Sequence, residues 1–138
     1  MTHTSLLPPE AFWLVLTLIL TALLWVPYIL QLIFQLGPVQ AIWDPTGAHP
    51  HDADWALRAK RAHYNAVENL VIFAPLTLLV LMFEVTSPLT QAAASVYFFA
   101  RLAHFGLHVL AVPVLRTLAF VTGFLCQMTM AMALLDVI

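Results

Sequence analysis

The stretch Arg58–Leu76, RAKRAHYNAVENLVIFAPL, sets cations and amides directly against hydrocarbon. Arg58, Lys60, Arg61, His63, Asn65, Glu68 and Asn69 crowd its first part, and the remainder is apolar. A charged side chain at mid-bilayer costs at least ~2.5–3.5 kcal/mol on insertion scales, so such residues face a bundle interior or a water-filled space. Helical neighbours fall three and four residues apart. Arg58, Arg61, Asn65 and Glu68 are spaced 3, 4 and 3, which puts them on one stripe with Asn69 at its edge. The stretch predicts one long helix, about Trp55 to Glu84, with its membrane span at about 64–84.

The rest of the chain fits a membrane setting. Of 138 residues, 62% are hydrophobic and 9% charged, and the mean hydropathy is +0.93. A soluble domain carries roughly 25% charged residues. The length allows about four spans of ~20 residues with short connections. A net charge of −2, with no basic and no acidic tail, does not imply a nucleic-acid partner, and none is expected. The single cysteine, Cys126, excludes an intrachain disulfide and lies in an apolar run as a small hydrophobe.

The spans are predicted at about 11–34, 64–84, 89–111 and 115–137, giving an all-α integral membrane protein built as a four-transmembrane-helix bundle in one domain, 1–138. Pro27 is expected to kink the first span. The Gly-, Pro- and Asp-rich segment at about 35–54 reads as a loop, with Asp52 or Asp54 capping the helix that follows. Arg58, Lys60 and Arg61 beside this loop, and Arg116 between spans three and four, place both regions in the cytoplasm by the positive-inside rule. Both termini are then expected on the non-cytoplasmic side.

Two further stripes match the first. Tyr97, Arg101, His104 and His108 are spaced 4, 3 and 4, as are Arg116, Phe120, Gly123 and Gln127. Lipid cannot satisfy such groups, so the stripes must face one another or a polar cleft. Glu68 is expected to pair with Arg101 or Arg61. The site would be cationic, near the cytoplasmic face and bordered by apolar space, which suits an anionic ligand. Helix–helix fastening is the plainer use of the same residues. His104 and His108 have the i, i+4 spacing of zinc ligands, with Glu68 as a third, but the nearby arginines oppose a cation and no metal is expected. His49, His51 and Asp52 read as a solvated loop cluster. His63 lies off the stripe and is expected to cap or contact the loop.

The residues RAKRAHYNAVEN (58–69) resemble the signature of the MAPEG superfamily, the membrane-associated proteins in eicosanoid and glutathione metabolism. Arg58, Arg61, Ala62, His63, Asn65, Glu68 and Asn69 carry the match. ARLAHFGLH (100–108) resembles the family's third-helix motif and RTLAFVTGF (116–124) the start of its fourth helix. The resemblance implies a homotrimer that binds glutathione between subunits and acts on lipophilic small molecules in the membrane lipid. By the same resemblance Arg58, Arg61, Asn65, Glu68, Arg101, His104, His108 and Thr117 would bind glutathione, and Arg116 would be catalytic, stabilising the glutathione thiolate. His108 stands where the enzymes commonly carry Tyr, and Gln31 and Gln35 where glutathione-binding members usually offer Arg or Lys. The cationic stripes and the Arg116 match lead to the expected function, a glutathione-dependent membrane transferase or peroxidase, while these departures point to an alternative. A non-catalytic lipid-binding or scaffold protein is the alternative, and a proton path through Glu68, His104 and His108 is a third class.

Overall fold

The computed structural model describes residues 7–44, 46–47 and 49–138. Residues 1–6, on which the expected sidedness of the N-terminus bears, lie outside them, as do Pro45 and Ala48 of the loop. The described residues form six helices and no strand: α1 (Pro9–Leu23), α2 (Val26–Leu36), α3 (Pro38–Ile42), α4 (Asp54–Met82), α5 (Pro88–Val109) and α6 (Pro113–Leu134).

The first predicted span is a broken rod. Pro27 has no N–H, and its ring would strike the carbonyl four residues back, that of Leu23. Helix α1 ends at Leu23 and α2 begins at Val26. Gly37, at φ 85°, then turns the chain into a short helix, α3, inside the segment expected to be only loop. Helix α4 starts at Asp54 behind Ala53, with no side-chain cap; Asp54 sits in its first turn.

Three segments are long and apolar enough to cross a membrane: Pro9–Leu36, Asp54–Met82 and Pro113–Leu134. Helix α5 equals α6 in length, at 22 residues, but Gln91, Tyr97, Arg101, His104 and His108 lower its apolarity. It is nevertheless central, packing against α1, α4 and α6.

Helix α4 turns a ridge of small residues inward: Ala56, Ala59, Ala62 and Ala66, followed by Asn69, Phe73, Thr77 and Val80. Small side chains let backbones approach closely where lipid offers no hydrophobic drive. Beyond the ridge, Phe73 stacks on Tyr97 with ring centroids 3.6 Å apart, inside a core that also holds Leu14, Ala93, Ala94, Cys126 and Met130.

Helix α5 is fixed at both ends. Ser87 and Thr90 form a reciprocal capping box at its start, where the Thr90 hydroxyl also meets the fully buried Glu10 carboxyl of α1 at 2.7 Å. At its end Ala111 takes φ 58° while Val112 N–H reaches back to Leu107 O at 2.9 Å and Ala111 N–H to His108 O at 3.1 Å. That pair of bonds defines a Schellman stop. The left-handed residue is an alanine, at a cost of about 1–2 kcal/mol. The result is a connection of only three residues, 110–112, which turns the start of α6 back along the end of α5.

Candidate functional site

One end of the molecule gathers the basic side chains. Arg58 of α4 bonds the last carbonyl of α5, that of Val109, next to His108, and Arg116 stands in the first turn of α6 just beyond the connection. The His104 and His108 imidazoles lie edge-to-face, 5.5 Å apart. The three stripes read from the sequence therefore converge, but they do not all face inward.

Helices α5 and α6 present theirs to the interior. Tyr97, Arg101 and His104 are buried. On α6 the Phe120 ring lies 5.5 Å from the Arg101 guanidinium carbon, and the Phe120 carbonyl is 3.5 Å from Arg101 Nη2. Gly123 is the gap into which that guanidinium fits: a Cβ there would lie 2.9 Å from Nη2 and 3.1 Å from Nε. Gln127 donates to the Asn69 carbonyl at 3.0 Å. Arg116 is half-buried in the first turn of α6, where the helix dipole already favours an anion.

Helix α4 divides its polar residues. Asn69 is buried, and its Nδ2 donates to the Asn65 carbonyl at 2.8 Å. Half-buried Asn65 accepts from Arg101 Nη1 at 3.2 Å through Oδ1. Arg58 spends its Nε on the last carbonyl of α5, Val109 O, at 2.8 Å, as a cation does at a helix C-terminus. Arg61 and Glu68 are exposed. The expected pairing of Glu68 with Arg101 or Arg61 does not form; Arg101 is instead committed to an amide and a carbonyl. The stripe lies one residue back from the buried ridge, about 100° around the helix, so Arg61 and Glu68 look out of the chain. Thr117 is exposed as well, and its hydroxyl donates to Pro113 O of its own helix at 2.9 Å.

The loop side of the site is held by amides. Gln31 Nε2 bonds Asp52 Oδ1 and Gln35 Oε1 at 3.1 Å, and Gln31 Oε1 pairs with His51 Nδ1 at 2.6 Å. Gln35 bonds Pro50 O and the Asp52 N–H, both at 3.1 Å. The two glutamines thus clamp residues 50–52 onto α2. Burial and the Lys60 charge, in that order, push the His51 imidazole below its ordinary range, against the pull of Asp52. Beside the clamp an open cleft of about 530 Å³ runs between α2 and the start of α4, lined by Pro27, Leu30, Phe34 and Trp55 around the Gln31–Gln35–Asp52 group. His63 contacts α2 rather than the loop, sharing a 2.8 Å hydrogen bond with the Tyr28 hydroxyl.

Among the described residues no cluster of three or more His, Cys, Asp or Glu could hold a metal ion. Cys126 is buried core. Glu10, buried against Thr90 at the far end, is a polar residue that pattern reading passed over, because a first-turn acid looks solvated until a neighbouring helix covers it.

A multi-pass membrane chain with cationic and amide groups drawn to one end of its helices is the class these features define. Residues 11–135 match the model of the MAPEG family, and the chain belongs to that family. Searches of the curated proteins and of the solved structures found no match.

Proposed function

We propose that this protein is a glutathione-dependent membrane transferase or peroxidase for small lipophilic electrophiles, working as a homotrimer of four-span bundles with the site between neighbouring copies. The observation that carries the reading is the gathering of Arg58 and Arg116 at the end of α5 that carries His108, with Arg61 and Glu68 left facing outward on α4. A cation and a carboxylate one or two turns apart on an open face fit a zwitterionic peptide, and membership of the MAPEG family makes glutathione the candidate. Support for a fourth crossing comes from α5 itself: its polar residues are turned inward, while Val96, Phe99 and Leu102 are exposed and apolar. With the basic end cytoplasmic, both termini lie on the other side.

The residues present suit such a ligand. Bound there, glutathione would supply a thiolate that displaces a leaving group from an electrophilic carbon or takes the distal oxygen of a hydroperoxide. The role assigned to Arg116 is to hold the sulfur as its anion. A free thiol titrates near pH 8.5, and a guanidinium beside it at a helix N-terminus favours the charged form. Arg61, Asn65 and Glu68 would hold the peptide's charged ends and amides, and His104 and His108 would wall the site. The lipophilic partner would enter from the bilayer. Purified wild type should conjugate glutathione to an aryl halide or reduce a lipid hydroperoxide, and Arg116→Ala should remove the activity. Absence of both activities and of glutathione binding in the wild type would sink the reading.

A second reading rests on the glutamine clamp. Gln31 and Gln35 are committed to residues 50–52 and place no cation in the 530 Å³ cleft. On that basis the chain would be a non-catalytic lipid-binding member of the family. Lipid that co-purifies with the protein, together with no thiol-dependent turnover, would favour it over the enzyme.

A further inference from the structure

We infer that Arg101 is a positioning residue rather than a ligand contact: seated in the gap left by Gly123, it fixes the Asn65 amide so that the open face of α4 offers a hydrogen-bond donor. This rests on the reading that the Arg61–Asn65–Glu68 face binds glutathione. The argument begins with burial. Arg101 is 2% exposed, so its guanidinium cannot meet a ligand on the outer face of α4. It is a donor only, with no acceptor atom in any state. Its Nη1 lies 3.2 Å from Asn65 Oδ1.

The orientation of an Asn amide follows from its partners. Turned the other way, the Asn65 amino group would oppose a permanent cation. A second chain of donors agrees. Gln127 Nε2 donates to the Asn69 carbonyl at 3.0 Å and faces Asn69 Oδ1 at 3.5 Å. That leaves Asn69 Nδ2 to face Asn65, 2.8 Å from its carbonyl and 3.4 Å from its Oδ1. The Arg101 donor of α5 and the Asn69 donor, itself oriented by Gln127 of α6, therefore both end on Asn65 oxygens. Among the described residues nothing accepts from Asn65 Nδ2, which lies on the half-buried rim between exposed Arg61 and Glu68. The ligand atom that meets Asn65 is consequently an acceptor, a carboxylate or carbonyl oxygen.

Gly123 makes the arrangement possible. A Cβ there would come within 2.9 Å of Nη2, 3.1 Å of Nε and 3.2 Å of Cζ. The guanidinium has little room to yield, because its carbon already lies 5.7 Å from the Tyr97 ring centre and 5.5 Å from that of Phe120. Even a methyl group on α6 would push Arg101 off Asn65.

A double-mutant cycle on glutathione affinity, measured by calorimetry on the detergent-solubilised protein, tests the assignment. Arg101→Met should weaken binding about tenfold, the effect of losing one hydrogen bond to a charged ligand group. The same change in an Asn65→Ala background should have no effect, because Arg101 acts only through Asn65. Arg101→Lys should recover most of the affinity. Gly123→Ala keeps the buried charge and crowds it, so it should give a loss of the same order even if Arg101→Met does not fold. Equal losses in both backgrounds would overturn the inference. Amide proton exchange separates it from the glutathione reading: the Asn65 side-chain protons should exchange freely and those of Asn69 slowly, with no ligand present. Should the wild type not bind glutathione while this contrast holds, only the functional reading falls. Equal protection of the two amides overturns the positioning role whatever glutathione does.

Discussion

Helix α4 carries two polar or small-residue rows one residue apart, and they do opposite things. The row Ala56, Ala59, Ala62, Ala66, Asn69, Phe73 is buried. The row Arg58, Arg61, Asn65, Glu68 is half-buried or exposed, and Arg61 and Glu68 form no hydrogen bond or ion pair among the described residues. A rotation of about 100° separates the packed row from the open one. The buried row costs no charge and lets α5 approach. The outer row keeps its cations and carboxylate apart from the network that Arg101, Asn69 and Gln127 complete inside. Only Asn65 belongs to both, taking the Arg101 donor on its inner side. The teaching is that a polar residue in an apolar helix is defined by the partner it has: the inner ones and Arg58 have partners within the chain, and Arg61 and Glu68 stand exposed.

The sharpest way to break this division is on the buried side. Phe73→Ala removes a fully buried ring stacked on Tyr97 and should cost about 3–5 kcal/mol, a large drop in melting temperature in detergent. Ile72→Ala, one residue away on an exposed position, should leave melting nearly unchanged. Comparable losses for the two would mean that the faces are misassigned. On the outer row the expectation reverses. Glu68→Gln should lower glutathione affinity about tenfold, as loss of a charged hydrogen bond does, with melting within about 0.5 kcal/mol of wild type, as for an ordinary surface change. Calorimetry and melting on the same preparation check both halves.

Much of this was legible in the sequence. Composition gave the membrane class, and the spacing of the stripes named Arg116, Phe120, Gly123 and Gln127 as facing the polar groups of α5 and α4, where they lie. Period alone does not fix which way a stripe faces. The signal that would have oriented α4 is the alanine ridge at 56, 59, 62 and 66, since small residues mark the close-packed side. Glu68 was paired on the principle that a carboxylate near a membrane needs a cation; its exposed position removes the need within one chain. The Gln31–Gln35 clamp was out of reach for a different reason: its partners are loop atoms 15–21 residues away, and nothing periodic links them. Glu10 and Thr90 stand 80 residues apart and are joined only by the packing of α1 on α5.

The smallest expected effect concerns that clamp. The His51 imidazole is held below its ordinary pKa of 6.5 by burial and by Lys60. A histidine depressed in the folded state contributes stability that is present above its unfolded value and is lost as pH falls. Attachment of residues 50–52 to α2 should therefore weaken as pH drops from about 6.5. Limited proteolysis of the 44–52 segment should speed up over that window in wild type and show a flat profile in His51→Gln. The outer row of α4 should keep its glutathione affinity meanwhile, because none of its residues bonds to the clamp.

The most direct test of the proposed glutathione site is a titration of the detergent-solubilised protein with glutathione at neutral pH, followed by thiolate absorbance alongside calorimetry. The expected result is saturable binding with a thiolate signal that grows in proportion. In Arg116→Ala the thiolate signal should disappear while heat of binding at Arg61, Asn65 and Glu68 persists. A wild type that binds no glutathione, or that binds it with the thiol still protonated, would contradict the role given to Arg116 and to the basic end of the molecule.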